Sequence, residues 1–364
     1  MIIGGGVAGC ATALALAAHG VDDVVVIDAG QQRGWRIGEA IPPAACIALN
    51  ELGLWNDFRT QRHLASTGSC ASWGNPDLRF NDFMRDPHGV GWHLDRAAFD
   101  EMLASAVAAR GGRLVGGLRL REVVHDVGSD HVLSFEGCDG THVRIAAGFL
   151  IDATGIAAGA VRRLGVARNQ IDCLTFISGI FDLAEPDAVP TRTLLEACHS
   201  GWWYMARLPH GRLIAALAVD PTAQRDFREI EAWMAALRAT RHAVDWLSGG
   251  KAAPMGRPLH VALAPSAILS RVVGERWLAV GDAASACDPL LSQGIMKALH
   301  DGVAAARAIA TCLAGAGEVP LLGYQEDVFA RFRQSLRLRQ HLYGLERRWW
   351  QAPFWQRRRL SPAV

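Results

Sequence analysis

Three glycines near the amino terminus have the spacing of a phosphate-binding turn. Residues 3–20 read "IGGGVAGCATALALAAHG", with Gly4, Gly6 and Gly9 in GxGxxG order between a short apolar strand and a predicted Ala/Leu-rich helix. The first glycine permits a tight turn, the second lets backbone approach a pyrophosphate, and the third lets the helix pack on the strand. Asp28 ends a second predicted strand nineteen residues after Gly9, where a carboxylate can accept hydrogen bonds from ribose hydroxyls. The pattern predicts a dinucleotide site.

Two other interpretations of this apolar segment are a signal peptide and a membrane anchor. A signal peptide needs a positively charged region before its apolar stretch, and only "MII" precedes the first glycine. A membrane-spanning helix would not ordinarily begin with three glycines. We therefore expect no membrane span here. The first strand is unusually short, so we expect either that the chain begins at the edge of the fold or that native residues precede Met1.

Composition limits the class of protein and its partners. Half of the 364 residues are hydrophobic, which is enough for two domains or for one domain with a large insertion. The net charge of +1 gives no electrostatic reason to expect a nucleic acid partner. The eight cysteines contain no CxxC pair, so we expect neither a disulfide framework nor a metal site, and we expect a reducing, cytoplasmic location. Lysine is rare: 35 of the 37 basic residues are Arg, and the others are Lys251 and Lys297.

The pattern of apolar residues and helix breakers predicts the main elements. Pro42-Pro43 predicts a helix over 44–52, and Asp95 predicts the N-cap of a helix that ends at Gly111-Gly112. The remaining predicted elements are β-strands within 113–127, 131–136, 141–146 and 148–155, a separate sheet over 171–220, and helix over 222–248. A strand, a loop and a long helix are predicted over 276–310, and basic helix from Tyr324 onward.

Three glycine-containing strand ends are spread along the chain, at 3–9, 150–155 and 278–282. This spread suggests one extended cofactor held along its whole length. The motifs "GGGVAG", "IDATG" and "VGDAASACDPLLSQGI" resemble those of the FAD-dependent oxidoreductases of the para-hydroxybenzoate hydroxylase class, which also contains the flavin halogenases. The resemblance implies an α/β protein, with a glutathione-reductase-type FAD-binding Rossmann domain, a second, mixed-sheet substrate domain and a C-terminal helical segment.

The resemblance also implies an interleaved order of domains. The expected segments are FAD-binding domain over 1–65, 93–165 and 261–315, substrate domain over 66–92 and 166–260, and a basic helical segment over 316–364.

Cofactor contacts follow from the resemblance position by position. Gly4, Gly6 and Gly9 are expected at the FAD pyrophosphate, Asp28 at the adenosine ribose, Gly281 and Asp282 at the ribityl chain, Pro289 beside the flavin ring, and the N–H groups of Gly294 and Ile295 at flavin N1 and O2. A helix N-terminus suits that last place because reduced flavin is negatively charged near N1. Arg36 and Arg96 are further candidates for the phosphates or ribityl chain, or else they form ordinary ion pairs. Asp282 could instead be only a helix N-cap.

The class includes several reactions. Its aromatic hydroxylases reduce FAD with NAD(P)H, form a C4a-hydroperoxyflavin and insert one oxygen atom into an electron-rich ring. Its halogenases need a lysine and a WxWxIP stretch, whereas here the first lysine is Lys251 and no WxWxIP occurs, which disfavours halogenation. Reductases of the geranylgeranyl type saturate apolar double bonds in a long apolar tunnel, and the sequence leaves this alternative open.

The ending "YGLERRWWQAPFWQRR" is similar to that of halogenase-like monooxygenases that mature tryptophylquinone cofactors in partner proteins. This resemblance implies an aromatic substrate, which could be a Trp side chain of a protein or peptide, and electrons from NAD(P)H or a separate reductase. A non-catalytic alternative is a flavin-binding protein that scaffolds the maturation of another enzyme. The Arg-rich tail, with nine Arg and three acids over 324–364, is either a solvated helix face or a surface that docks an acidic partner.

Candidate chemical residues outside the cofactor motifs are fewer. The resemblance makes Glu39 a candidate catalytic residue, because it lies between the Arg36 turn and Pro42-Pro43, where this class approaches the flavin edge. His93 is the other candidate, because a histidine can orient a substrate or act as a base. His93 could equally be an ordinary structural histidine. Trp202, Trp203 and Tyr204 form either an aromatic wall for the substrate or the core of the predicted sheet.

Overall fold

The computed structural model describes residues 1–30, 38–125 and 128–360. Nine α-helices lie in the described residues: α1 Val7–Ala18, α2 Ala45–Glu51, α3 Trp55–Thr60, α4 Arg96–Ala109, α5 Ile230–Arg238, α6 Ala243–Gly249, α7 Gly294–Thr311, α8 Val319–Leu345 and α9 Pro353–Leu360.

The strands of the same ranges form four sheets. They are β1 Ile2–Ile3, β2 Val25–Ile27, β3 Ala40–Ile41, β4 Leu64–Ser66, β5 Gly68–Ser72, β6 Arg79–Asp82, β7 Gly91–His93, β8 Arg113–Val115, β9 Leu118–Val124, β10 His131–Gly137, β11 His142–Ala147, β12 Leu150–Asp152, β13 Arg168–Leu183, β14 Thr193–Cys198, β15 Gly201–Leu208, β16 Arg212–Val219, β17 Ala252–Pro254, β18 His260–Leu269, β19 Val273–Gly274, β20 Trp277–Ala279 and β21 Ser285–Ala286.

A six-stranded sheet has the order β19-β20-β12-β1-β2-β8. All its pairs are parallel except β19–β20. The antiparallel meander β9-β10-β11 is inserted between β8 and β12. Consecutive parallel strands joined by helices on the sheet faces are typical of doubly wound α/β domains. The arrangement confirms the predicted α/β class with a Rossmann-type sheet.

Close packing of α1 against α7 depends on a glycine. A Cβ atom on Gly302 would lie 2.7 Å from Ala11 Cβ and 2.8 Å from Thr12 N. A larger residue would push α7 away from α1, because packed interiors have little free volume. Gly302 therefore lets the middle of α7 pack closely on the middle of α1.

A nine-stranded, mainly antiparallel sheet follows the order β21-β18-β13-β16-β15-β14-β5-β6, with β17 on β13. One face packs on α5, where Trp203 meets Trp233 at 5.2 Å between ring centroids. The other face packs on the C-terminal helices, where Trp202 lies with Tyr343 and Trp355. The sheet includes β18 and β21, which the sequence places in the FAD-binding segment 261–315, so the domain boundaries stay a proposal.

Buried ion pairs fix the C-terminal helices. Arg339 pairs with Asp172 and, at 3.0 Å, with Asp288. Arg358 lies 2.9 Å from Asp172 and 2.8 Å from Asp220. Both arginines are almost completely buried. For these two residues the expectation of a solvated face is wrong, because their charges are used inside the protein.

Several predicted elements are confirmed. The helix over 44–52 is α2, and Asp95 Oδ1 caps α4 by accepting the N–H groups of Ala97 and Ala98. The helix expected over 222–248 is in fact a 3-10 turn followed by α5 and α6. Across the described ranges, no helix has both the length and the apolar character needed to cross a membrane.

Candidate functional site

Four neighbouring parallel strands bring the predicted cofactor residues to one edge of the six-stranded sheet. Gly4 follows β1, Asp28 follows β2, Ala153 follows β12 and Gly281 closely follows β20. The carboxyl ends of parallel strands meet at one edge, which is where ligands bind in such sheets. Ala153 O would lie 2.2 Å from a Cβ atom on Gly4, so these turns are in contact.

The glycine turn fits a pyrophosphate. Gly4 has a φ of +111°, and a Cβ atom on Gly9 would lie 1.9 Å from Gly4 O. A Cβ atom on Gly6 would meet no described atom within 4 Å, so space is open on that side. Gly6 is the N-cap of α1, which has no side-chain cap and no acidic residue in its first turn. Uncapped N–H groups at a helix N-terminus favour an anion.

The Asp28 carboxylate is held at the end of β2. Its Oδ2 accepts the Gly5 N–H at 2.8 Å and its Oδ1 accepts the Gly30 N–H at 2.9 Å. The side chain is half-buried. Each carboxylate oxygen can accept more than one hydrogen bond, so the group fits a ribose hydroxyl as well.

Asp152 is a site residue that the sequence interpretation did not single out. It is fully buried at the end of β12. Its Oδ1 accepts the Thr154 N–H at 2.9 Å, and its Oδ2 accepts the N–H groups of Ala160 at 2.8 Å and Val161 at 2.9 Å. The carboxylate therefore shapes the loop after β12. The motif "IDATG" contained the signal, since a buried acid before a turn needs N–H donors.

Gly281 and Asp282 lie in the turn after β20. Gly281 has a φ of +59°, and a Cβ atom there would lie 2.7 Å from Ala8 Cβ. The Asp282 side chain is 44% exposed, and its Oδ1 lies 3.4 Å from Lys297 Nζ. The N-cap of this turn is Val280. Asp282 is thus a partly open carboxylate that can still bind a hydroxyl group.

Pro289 and Gly294 flank a second turn. Asp288 Oδ1 accepts the Leu290 N–H at 3.0 Å and caps the turn Pro289–Leu291. The helix α7 begins at exposed Gly294, with Ile295 buried, and it has neither a side-chain cap nor an acid in its first turn. Its first N–H groups are therefore suited to the negative N1–O2 edge of a reduced flavin.

Glu39 is a buried carboxyl group beside β3. It is 1% exposed, its Oε2 accepts the Gly38 N–H at 3.1 Å, and its Oε1 has no hydrogen-bond partner among the described residues. Arg96 Nη1 donates to Gly38 O at 2.7 Å. Burial raises the pKa of Glu39 to about 7, although the nearby Arg96 charge acts in the opposite direction. Glu39 can therefore exchange a proton near neutral pH.

His93 is fully buried on β7. Its Nδ1 lies 2.7 Å from Arg207 O, and because a carbonyl only accepts, Nδ1 must carry the hydrogen. The other nitrogen, Nε2, is then an acceptor, and it has no partner in the described part of the chain. Burial lowers the pKa of His93 to about 4. His93 pairs with Ala40, so side-chain alternation directs it away from neighbouring Glu39.

Of the three candidate substrate residues, only Tyr204 keeps exposed surface. Trp202 and Trp203 are each 1% exposed and belong to cores on opposite faces of the large sheet. The structure thus places both tryptophans in the core. Tyr204 is half-buried, and burial together with the Glu39 charge keeps its pKa well above the ordinary value. Electrostatic interactions link Tyr204 to Glu39 and Glu39 to Arg96, whereas Arg36 lies outside the described residues.

A cavity of about 340 Å³ lies elsewhere, between Trp203, Phe227 and Trp349. Its lining includes Trp203 and Phe227 from the core beside α5, and Ala197 and Trp349 from the core beside the C-terminal helices. None of the candidate cofactor residues that the structure describes lines this cavity. It is therefore separate from the candidate cofactor site.

Comparison with protein families agrees with this geometry. The model of the FAD binding domain family matches residues 1–337. The chain belongs to this family. The protein is an FAD-dependent oxidoreductase, and FAD is its cofactor.

The similar proteins include several kinds of flavoenzyme. A protein of Marinomonas mediterranea named as the FAD-dependent oxidoreductase LodB is 29% identical over all of this chain and 97% of its own length. A menaquinone reductase of Mycolicibacterium smegmatis is 27% identical over 84% of this chain and 75% of its own length.

Two solved structures have the same fold. The flavin-dependent halogenase CmlS matches with a TM-score of 0.88 and 25% identity, over 99% of this chain and 67% of that one. QhpG, a peptidyl tryptophan dihydroxylase essential for tryptophylquinone cofactor biogenesis, matches with a TM-score of 0.76 and 25% identity, over 100% of this chain and 79% of that one. The predicted likeness to halogenases and hydroxylases of this class is confirmed.

Proposed function

We propose that this protein is an FAD-dependent monooxygenase that hydroxylates an electron-rich aromatic ring, namely a Trp side chain of a partner protein during quinone-cofactor biogenesis. Its likeness to QhpG extends over the whole chain, and its C-terminal residues are similar to those of flavoproteins with that role. The likeness to LodB is also of full length.

The placement of the two lysines is the observation that favours hydroxylation over halogenation. Lys251 is 66% exposed and pairs with Glu185. Lys297 is buried; its Nζ donates to Ser285 O at 2.6 Å and lies 3.4 Å from Asp282 and 3.5 Å from Asp301. The resemblance implies that halogenases need a lysine to relay hypohalous acid. Lys297 is held by three oxygen groups and Lys251 is a surface residue, which supports the hydroxylase assignment.

When bound, FAD supplies the activation of oxygen and the transfer of one oxygen atom. Glu39 is the group that takes or gives a proton, because its pKa is about 7 and its Oε1 has no partner among the described residues. Tyr204 stays protonated and can donate a hydrogen bond from its hydroxyl to the ring or to Glu39. His93 is neutral and fully buried, and its Nδ1–H···O bond to Arg207 ties β7 to β15, which supports a structural role for this residue.

A second candidate function is reduction of apolar double bonds, which the likeness to menaquinone reductases favours. A long isoprenoid needs an apolar tunnel. Here Tyr343, Phe354 and Trp355 fill the face of the large sheet that carries Trp202. This packing leaves less space for a long chain and supports the smaller aromatic substrate.

The test uses the FAD-loaded protein, reduced by NADH, NADPH or dithionite and mixed with oxygen and a Trp-containing peptide. We expect the peptide mass to rise by one or two oxygen atoms, and a peptide with Phe in place of Trp to stay unchanged. Oxygen consumption without any oxygenated indole or peptide would contradict the proposal. A hydrogenated isoprenoid quinone as product would favour the reductase, and a brominated or chlorinated product would favour a halogenase.

The electron donor and the compartment belong to the same proposal. NAD(P)H or a separate reductase delivers the electrons, and the mass assay with each nicotinamide distinguishes these sources. No disulfide bond joins two cysteines within the described residues. Cysteines without disulfide bonds are typical of proteins in reducing compartments, which supports a cytoplasmic location.

A further inference from the structure

Lys297 occupies a place that is unfavourable for a cation. It lies in the first turn of α7, and its side chain is only 9% exposed. The positive end of the helix dipole repels a cation there, and burial penalises its charge. Such a residue needs strong compensation from its surroundings.

Two carboxylates and one carbonyl provide that compensation. Lys297 Nζ donates to Ser285 O at 2.6 Å and lies 3.4 Å from Asp282 Oδ1 and 3.5 Å from Asp301 Oδ2. Burial alone would lower the pKa of Lys297, but Asp301 and Asp282 outweigh it and the pKa lies above the ordinary value. The ammonium group is therefore charged at neutral pH.

Arg331 on α8 binds the second carboxylate. Its Nη2 donates to Asp301 Oδ1 at 2.8 Å, and Asp301 is 1% exposed. Asp301 is therefore held by Lys297 and Arg331, while Asp282 interacts with Lys297 and with the charge of Arg168. Of the two carboxylates, Asp282 is the one with an open side, being 44% exposed. Lys297 therefore holds the Asp282 carboxylate on its buried side, and the exposed side of that carboxylate stays available to a ligand.

We infer that Lys297 is a positioning residue for the cofactor, which holds the Asp282 carboxylate and the Ser285 carbonyl so that the loop 281–289 binds FAD. The inference rests on the proposed contact between Asp282 and FAD. Groups that orient the ligands of metal sites change metal affinity or activity by about 10–100-fold when removed, and we expect an effect of the same order for FAD here.

The experiment measures the Kd for FAD by titrating the FAD-free chain and following flavin fluorescence. Lys297→Met is expected to raise the Kd by about 10–100-fold. Lys297→Arg keeps the charge and is expected to recover most of the affinity. The matched control is Lys251→Met at the exposed lysine, with an unchanged Kd. Thermal unfolding of each FAD-free chain shows whether it is folded.

A double-mutant cycle with Asp282→Asn separates positioning from general destabilisation. If Lys297 acts through Asp282, Lys297→Met adds little to the Kd in the Asp282→Asn background. The inference would be overturned if Lys297→Met raised the Kd by the same factor with Asp282 present and with Asp282→Asn. An unchanged Kd in Lys297→Met would overturn it as well. An unchanged Kd in Asp282→Asn would instead refute the proposed Asp282 contact. Should Lys297→Met not fold, Lys297→Met/Asp301→Asn keeps the buried charges balanced and is expected to show the same loss.

Discussion

Replacing Glu39 by Gln tests whether a buried carboxyl group titrates near neutral pH. Burial raises the pKa of Glu39 from 4.5 to about 7. Between these values the native protein retains a proton that the unfolded chain has already released. The free energy of unfolding therefore falls as the pH rises through this range, and the loss is complete above the native pKa. A glutamine side chain cannot ionise, so the Glu39→Gln variant lacks this dependence.

The size of the effect follows from the shift. A shift from 4.5 to about 7 is about 2.5 pH units, and each unit corresponds to about 1.36 kcal/mol, which gives about 3 kcal/mol in total. Part of this loss in the free energy of unfolding has already occurred at pH 5, so the loss between pH 5 and pH 8 is about 2.5 kcal/mol. His63 and His93, whose burial lowers each pKa to about 4, act in the opposite direction. Their contribution is common to both proteins and cancels in the difference.

The assay is urea unfolding at pH 5 and pH 8 of the native protein and Glu39→Gln, with the same excess of FAD throughout. We expect the stability of Glu39→Gln relative to the native protein to increase by about 2.5 kcal/mol from pH 5 to pH 8. Glu326→Gln, at an exposed position of α8, is the control and should show no such change. A relative stability that stays within about 0.5 kcal/mol at both pH values would refute the raised pKa.

Three further substitutions test the glycine turn and the C-terminal helices. Gly6→Ala should weaken FAD binding in a titration but change the free energy of unfolding of the FAD-free protein by no more than about 0.5 kcal/mol, because its Cβ atom meets no described atom within 4 Å. Gly9→Ala should lower that free energy of unfolding by about 1–3 kcal/mol or more, because its Cβ atom would lie 1.9 Å from a backbone oxygen. Equal stability of these two variants would contradict the assigned roles. Tyr343→Phe should lower the free energy of unfolding by about 1–3 kcal/mol, because it leaves the buried Trp202 N–H and the Asp288 carboxylate each without one hydrogen-bond partner. An unchanged Tm would show that these hydrogen bonds do not contribute to stability.

The cofactor edge could be predicted from the sequence because its determinants are local. The GxGxxG spacing lies within one strand–turn–helix unit, and the acid directly follows the next strand. Parallel strands bring such turns to one edge. The packing of α7 on α1 is harder to predict from the sequence, because it depends on Gly302, and the neighbour of Gly302 in the fold, Ala11, is distant in sequence. The sequence pattern specifies turns well, whereas contacts between units depend on the whole fold.

The role of the aromatic residues could not be decided from the sequence. Trp202 and Trp203 are consecutive, so in a strand they point to opposite faces. Both faces of this sheet are covered, one by α5 and the other by the C-terminal helices. A run of aromatic residues reads the same whether it lines a binding site or fills two cores. The raised pKa of Glu39 could not be predicted from the sequence either, because residues distant in sequence bury this side chain.

The C-terminal helices form part of the frame of the cofactor loop. The Trp202 Nε1 donates to the Tyr343 hydroxyl at 3.1 Å, and that hydroxyl donates to Asp288 Oδ2, also at 3.1 Å. Arg339 Nε donates to the same oxygen at 3.0 Å. Asp288 in turn caps the turn that begins at Pro289. A substitution at Trp202 would therefore affect the cofactor loop through Tyr343 and Asp288, and reduced activity in such a variant would not by itself show that Trp202 contacts the substrate.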